Sequence, residues 1–177
     1  MLIIFSGLPG TGKTTIAAAA ARVLTAAYLR IDSLEMGLVR SGLVADQWDL
    51  GPAGYYAAFA VALDNLRNGM AVVADSVNPL HITREAWRDV AARAGVPCLE
   101  VEVVCSDAAE HRRRVELRKS DVEGLRLPTW QQVLERDYQP WDRERLVLDT
   151  AILRADDAVQ TVVLRARSVF NASGSTR

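Results

Sequence analysis

Gly7, Gly12, Lys13 and Thr14 stand in the spacing G-x-x-x-x-G-K-[ST] inside the stretch SGLPGTGKTT, residues 6–15. Each residue type suits the holding of phosphate. Glycines let the backbone turn tightly, so that the chain from Gly7 through Leu8, Pro9, Gly10, Thr11 and Gly12 to Lys13, Thr14 and Thr15 wraps phosphate oxygens with inward-pointing N–H groups. The lysine reaches the β- and γ-phosphates, and the Thr14 hydroxyl takes a place on Mg²⁺. The bland alternative is a glycine-rich turn between a strand and a helix. Composition opposes it, because of 21 basic residues only Lys13 and Lys119 are lysines. A chain that otherwise uses arginine keeps lysine where a compact point charge on a flexible stem is needed.

Two carboxylates are placed to act beside that loop. Asp32, in YLRIDSLEMGLVR, ends a strand-like run. It has two readings: a helix cap, since Asp32 and Glu35 make a D-x-x-E capping-box pattern, or a general base that takes a proton from a substrate hydroxyl. Asp75, in MAVVADSVNPLH, follows an apolar run and resembles the second acidic element of phosphate-loop enzymes, which holds Mg²⁺ directly or through water. A turn role ahead of Asn78-Pro79 is the alternative. Asn78 itself either orients substrate or makes the turn. No D-E pair follows the third strand-like run, so the water-activating glutamate of ATP hydrolases is missing from its usual place.

The second informative stretch is SDAAEHRRRVELRKSDVEGLRLPTW, residues 106–130. Asp107 and Glu110 mark a helix start. Arg114 and Arg118, four apart, project from one helix face. They are either part of a solvated basic surface paired with Glu110, Glu116 and Glu123, or the arginines of a flap that neutralises charge on a transferring phosphate and excludes water. Arg126 is a weaker candidate of the same kind. Between the second and third strands, Arg40, Trp48, Tyr55 and Tyr56 are candidates for an acceptor pocket, with core packing as the alternative for the aromatics. His81 and His111 form no metal-ligand pattern. Trp130, Tyr138 and Trp141 are expected to pack the flap helix onto the body.

The elements that must position these groups alternate. Apolar runs near 2–6, 27–31, 71–75, 98–104 and 145–149 predict strands. Between them, helical patterns fall at 13–26, 33–40, 55–68, 82–94, 107–119, 129–138 and 156–170. That order implies an α/β fold with a parallel sheet covered on both faces, and ligands of such sheets bind beyond the carboxyl ends of the strands. At 177 residues, half of them hydrophobic, the chain reads as one domain over 1–170 with a disordered tail at 171–177. Net charge is −1, which gives no global attraction to nucleic acid or membrane. Cys98 and Cys105 end one strand-like run and lie too far apart to bridge, which fits reduced thiols in a cytoplasmic protein. The apolar N-terminus is short for a signal peptide or membrane span.

Together the Gly7–Thr14 loop, Asp32, Asp75 and the R-x-x-x-R pair Arg114/Arg118 resemble the small phosphate-loop (P-loop) kinases. That group includes nucleoside monophosphate, gluconate and shikimate kinases, chloramphenicol phosphotransferases, zeta-type toxins and polynucleotide 5′-kinases. RIDSLE, VVADSVNP, CSDAAEHRRRVELR and PTWQQVLERDYQPW are most similar to bacterial proteins labelled predicted kinases or AAA-family ATPases. The resemblance covers residues 1 to about 165. It implies a three-layer P-loop NTPase fold, a five-stranded parallel sheet in the order 2-3-1-4-5, and an arginine-bearing lid at about 107–138. It further implies ATP and Mg²⁺ as cofactors, with Lys13 on the β- and γ-phosphates and Thr14 on Mg²⁺. Asp32 would be the base, Arg114 would lie against adenine and Arg118 would contact the transferring phosphate.

The departures narrow the expectation. No D-G-[FY]-P-R follows the third strand, which disfavours a nucleoside monophosphate acceptor. No shikimate-binding glycine motif appears, and the lack of N-K-x-D favours ATP over GTP. Neither an arginine finger nor a D-E pair supports the AAA label. The expected activity is phosphorylation of a hydroxyl on a small molecule, in a monomer or homodimer. A polynucleotide 5′-kinase, disfavoured by the charge, and an ATP-binding regulator without phosphotransfer are the rivals.

Overall fold

The computed structural model describes residues 1–174. Five strands form one sheet: β1 (Leu2–Ser6), β2 (Ala27–Arg30), β3 (Val72–Asp75), β4 (Cys98–Val104) and β5 (Leu146–Asp149). All neighbours are parallel and the order is β2-β3-β1-β4-β5, as the resemblance implies. Seven α-helices accompany them: α1 (Lys13–Leu24), α2 (Ile31–Arg40), α3 (Ala53–Arg67), α4 (His81–Ala94), α5 (Ala108–Leu117), α6 (Trp130–Leu134) and α7 (Ala155–Gly174).

β1 is central, and all five of its residues are fully buried. Successive side chains of a strand point to opposite faces, so the apolar run feeds two cores. Ile3 and Phe5 pack with Ile16, Ala17 and Ala20 of α1 and with Ala158, Val162 and Ala166 of α7. Leu2 and Ile4 pack with Ile31 of α2, Ala58, Ala62 and Leu66 of α3, and Trp87, Val90 and Ala91 of α4. Alanine on the inner face of α1 brings that helix close to the sheet, and the N-terminus of α1 therefore sits directly after the loop that leaves β1. None of the described helices is long and apolar enough to cross a membrane.

Several boundaries differ from the sequence expectation. Helix α2 begins one residue after β2, at Ile31 rather than at 33. Helix α5 ends at Leu117, and Arg118 is already extended with ψ 134°. Helix α6 is a single capped turn, closed by a Thr129–Gln132 capping box, rather than a helix over 129–138. Tertiary hydrogen bonds claim the chain beyond it, where Gln139 N–H bonds Pro79 O. Helix α7 continues to Gly174, so residues 171–174, read as part of an unstructured tail, are helical; 175–177 lie outside the described residues. Asn171, Ala172 and Ser173 contain no helix breaker, and an established helix extends at the cost of one residue's freedom per bond gained.

The segment after α6 is fastened by a buried cation. Arg84, on α4 with no exposed surface, donates to the carbonyls of Asn78, Pro79, Gln139 and Pro140 at 2.9–3.2 Å. Its guanidinium lies 4.1 Å from the ring centre of Trp141 and 5.1 Å from that of Tyr138. Tyr138 and Trp141 thus hold Arg84 rather than a flap helix, while Trp130 meets His111 edge to face at 5.1 Å. Arg84→Met keeps the stem and removes the guanidinium from four carbonyls, of which Pro79 O keeps Gln139 N–H, so it is expected to cost on the order of 3 kcal/mol in urea unfolding. Arg67→Met, on the exposed end of α3, is expected to change it by less than about 0.5 kcal/mol.

Candidate active site

The loop between β1 and α1 is pressed between neighbours that leave no room for side chains. A Cβ on Gly7 would lie 2.3 Å from the Val103 carbonyl oxygen, and one on Gly10 would lie 2.5 Å from Val115 Cγ2. Both glycines also have positive φ, 142° and 86°, where side chains are strained. Three hydrogen bonds brace the loop from outside. Gly7 N–H donates to Val77 O at 3.1 Å. The His111 Nε2 lies 2.8 Å from Pro9 O, and Thr150 Oγ1 donates to Thr11 O at 2.8 Å. Helix α1 starts without a side-chain cap or an acidic residue in its first turn, which leaves its N–H groups to serve an anion.

Lys13 opens α1 and is 6% exposed. Burial holds its ammonium below the ordinary lysine range; Asp75 and Asp32 act in the opposite sense, and Arg118 and Arg30 add to the lowering. The two carboxylates expected beside the loop are therefore both near the lysine. Asp75 ends β3, 2% exposed. Its Oδ2 accepts from the Tyr28 hydroxyl at 2.7 Å, and its Oδ1 is buried without a hydrogen-bond partner. The turn is made instead by Asn78, at φ 47°, whose Nδ2 donates to Ser6 Oγ at 3.0 Å. Asp32 lies inside the first turn of α2, whose cap position is Arg30 with no side-chain capping bond. The D-x-x-E capping reading is therefore not realised. The Asp32 carboxylate lies 3.6 Å from Arg30 Nε and is one-third exposed.

Three concavities meet around this centre. A loop cleft of about 450 Å³ is lined by Gly10, Gly12, Lys13, Thr14 and Thr15 of the loop and α1, by Arg30 at the end of β2, and by Arg113, Arg114, Leu117, Arg118 and Asp121 on and beyond α5. A rear cleft of similar size lies between Gly12, Thr15 and Ile16, Arg114, and the chain after β5 from Thr150 to Ala155. A wide cavity, also about 450 Å³, opens on the far side of Lys13 and Arg118; Asp32, Glu35, Trp48 and Tyr55 line it, roofed by Leu125, Leu127 and Pro128.

The arginines divide differently from the sequence expectation. Arg114 Nη1 and Nη2 donate to Thr150 Oγ1 and O, and its Nε to Glu110, which fixes it at the wall shared by the loop and rear clefts. Arg118 lies beyond the end of α5, not on its face, and lines both the loop cleft and the wide cavity. Arg112 and Arg113 pair with Glu116 and Glu110 on the surface, as a solvated basic face would. Arg126 pairs with Asp46 at 2.9 Å and faces the wide cavity, not the loop cleft. Trp48 and Tyr55 line the wide cavity, but Arg40 pairs with Glu123 and Tyr56 is 69% exposed; neither of these two is among its lining residues.

Four residues at this centre were not candidates for it from the sequence, although Glu35 stood in the D-x-x-E pattern and His111 was weighed only as a metal ligand. Thr150 and His111 brace the loop only because β5 and α5 come beside it, and Arg30 reaches the loop cleft from the end of β2. Glu35 is brought to the cavity by the close approach of α3, where a Cβ on Gly54 would lie 2.3 Å from Glu35 Cγ. Burial, reinforced by Asp32 and opposed by Arg136, pushes the Glu35 carboxyl up to about 7.

Comparison with known proteins places this arrangement. The family model AAA_33, an AAA domain, matches residues 2–139. A relative from Aeropyrum pernix named "Probable adenylyl-sulfate kinase" is 30% identical over 162 residues, covering 85% of this chain and 83% of its own length. The Mycobacterium tuberculosis APS kinase CysC in complex with AMPPNP and APS has a TM-score of 0.71 and 25% identity, over 94% of this chain and 96% of that one. A gluconokinase from Sinorhizobium meliloti shares the fold, with a TM-score of 0.64 and 19% identity over 99% and 97% of the two chains. The family name is thus the AAA one, although the sequence has neither the arginine finger nor the D-E pair looked for under that label. Matched over most of its length, the chain belongs to the AAA_33 family, within the group of small P-loop kinases.

Proposed function

We propose that this protein is an ATP- and Mg²⁺-dependent kinase that transfers the γ-phosphoryl group to a hydroxyl of a small-molecule acceptor. One observation carries the reading: Lys13 and Arg118 line both the loop cleft and the wide cavity, and Asp32 lies on the cavity side. A phosphoryl group passing from one to the other would cross between two cations, toward a carboxylate. The name of the Aeropyrum relative and the ligands of the mycobacterial structure support a kinase of small molecules.

The triphosphate would lie in the loop cleft, with its oxygens on the N–H groups of the loop and first turn of α1 and on Lys13. Adenine would enter the rear cleft against Arg114, whose guanidinium plane is held by Thr150 and Glu110 and offers a flat cationic face. Asp32 would accept the hydroxyl proton as the acceptor oxygen bonds to the γ-phosphorus and the bond to the β–γ bridging oxygen breaks, releasing ADP. Arg118 and Lys13 would balance the charge that gathers on the equatorial oxygens.

The residues fit Mg²⁺. Asp75, which interacts electrostatically with Lys13, presents a buried oxygen without a partner, and Thr14 lines the loop cleft beside Lys13. No group of three His, Cys, Asp or Glu that could hold a metal occurs among the described residues. A cation here would take its remaining oxygens from phosphate and water, the usual arrangement for magnesium. When bound, Mg²⁺ would neutralise charge on the β- and γ-phosphates.

The wide cavity is the acceptor site in this reading. Its roof and the aromatic ring of Trp48 suit a compact molecule rather than a strand running through an open basic groove, which favours a small acceptor over a 5′-hydroxyl polynucleotide.

Lys13→Ala is expected to abolish ADP formation in a screen of hydroxylated metabolites. Asp32→Asn should retain ATP affinity by calorimetry and lose on the order of 10²–10⁴ in kcat; near-normal kcat with the phosphorylated acceptor would remove Asp32 from the base role. A third outcome concerns Glu35. Its carboxyl is raised in the folded chain, so folding is favoured while it is neutral; that contribution is complete below about 4.5 and is lost as pH rises through about 7. Glu35→Gln should therefore gain stability over wild type between pH 5 and pH 8 in urea unfolding, by on the order of 1 kcal/mol once solvent screening is allowed for.

A further inference from the structure

Arg30, the last residue of β2, is 7% exposed yet lines the loop cleft beside Lys13. Its Nη1 donates to Asp121 Oδ2 at 2.7 Å and its Nη2 to Asp121 Oδ1 at 3.0 Å. Its third nitrogen, Nε, is buried without a hydrogen-bond partner and lies 3.6 Å from Asp32 Oδ2. The guanidinium is therefore held where Asp32, Lys13 and the cleft converge.

The two members of this pair differ in kind. The arginine is inside the body of the protein, whereas Asp121 is 70% exposed on the chain after α5. A charge taken out of water is costly unless it is paired, so the enclosed arginine needs a partner while the exposed carboxylate does not. Here the exposed carboxylate is the removable member. Other ties of this chain segment are a 3.5 Å pair of exposed side chains, Arg40 of α2 and Glu123, the approach of Gly124 to Met36 of α2, where a Cβ would lie 3.1 Å from Met36 Cε, and the bonds of Arg126 to Asp46 and Gln47 beyond α2. Exposed pairs such as Arg40–Glu123 add little. Two parallel N–H···O bonds from one guanidinium suit a phosphoryl group as well as a carboxylate.

We propose that Arg30 is a further phosphate-binding residue of this site, holding two oxygens of the terminal phosphoryl group through the fork that Asp121 takes in this structure. Asp121 is then a built-in competitor: the terminal phosphate must displace it, and the segment that carries it is released from β2 as the cleft fills. A diphosphate, ending one group earlier, leaves the Arg30–Asp121 pair intact. Selectivity for triphosphate over diphosphate follows. The inference rests on the reading of the loop cleft as the triphosphate site.

The test is calorimetric titration of Mg²⁺-ADP and of Mg²⁺ with the β,γ-imido analogue of ATP. Wild type, Arg30→Met, Arg30→Lys, Asp121→Asn and the Arg30→Met/Asp121→Asn double variant are compared. Arg30→Met and Arg30→Lys should weaken the triphosphate analogue by about tenfold or more, as loss of charge-assisted bonds does, and change ADP by less than about twofold. Asp121→Asn should tighten the triphosphate analogue severalfold in wild type and do nothing in the Arg30→Met background. Asp121 is exposed, so this arm stands even if Arg30→Met unfolds. Equal weakening of both nucleotides by the Arg30 variants, or weaker triphosphate binding by Asp121→Asn, overturns the proposal while leaving the kinase reading in place. Failure of the wild type to bind either nucleotide would overturn both.

Discussion

A buried ammonium at the start of a helix is the constraint around which this molecule is arranged. Lys13 lies almost wholly out of water, with Asp75 and Asp32 near enough to favour its charge and Arg30 and Arg118 near enough to oppose it. A lone charge in such a place is costly. The balance is held by fixing Arg30, Asp32 and Asp75 at or just beyond the ends of β2 and β3, Lys13 at the first residue of α1, and Arg118 just beyond α5. The parallel order β2-β3-β1-β4-β5 puts the ends of β2 and β3 on one side of the loop, and those of β4 and β5 on the other. The fold thereby sets Asp32 and Asp75, with Arg30 between them, on the β2–β3 side, and Arg114 and Arg118 on and just beyond α5.

The loop itself is held by exclusion as much as by bonding. Gly7 lies against a β4 carbonyl and Gly10 against Val115 of α5, so its shape is dictated by elements far away in sequence. β5 and α5 bring Thr150 and His111 to its carbonyl oxygens. These carbonyls point outward to partners, and the inner side is left to N–H groups. A loop built this way is preorganised for an anion, and little rearrangement is needed when one arrives.

The arginine-bearing segment after α5 is tied to the opposite side of the site by unequal contacts. One end carries Arg118, between the loop cleft and the wide cavity, and Asp121, on the buried Arg30. The other returns through α6 to a segment clamped by Arg84 on four carbonyls. Stiff anchorage near Arg84 and polar contacts near Arg30 are the combination expected of a cover that opens at one edge and keeps its place at the other. Glu35 and Asp32, one helical turn apart, line the wide cavity together with Leu125, Leu127 and Pro128 of that segment.

Much of this was legible in the order of residues. The phosphate loop is local: its glycines, lysine and threonine are consecutive, so their spacing alone specifies the chemistry. The central strands β1 and β3 were legible because burial on two faces demands unbroken apolar runs, the other three because their runs are mostly apolar, and Asp32 and Asp75 because they directly follow or end such runs. Long-range contacts decided the rest. Whether Asp32 capped α2 depended on where the helix began, and Arg30 took the cap position instead. Arg118 left the helix face predicted for it because α5 stops at Leu117, and α6 stopped at one turn where tertiary hydrogen bonds claimed its continuation. Arg30, Thr150, His111 and Glu35 come to the site only through strand pairing and helix packing, and residues tens of positions apart leave no periodic trace of such meetings. The sequence by itself determined the anion-binding loop and the layered sheet, because both arise from neighbouring residues. Only the tertiary structure decided which charges surround Lys13, because their energies depend on distance through space and on exclusion of water, neither of which spacing along a chain records.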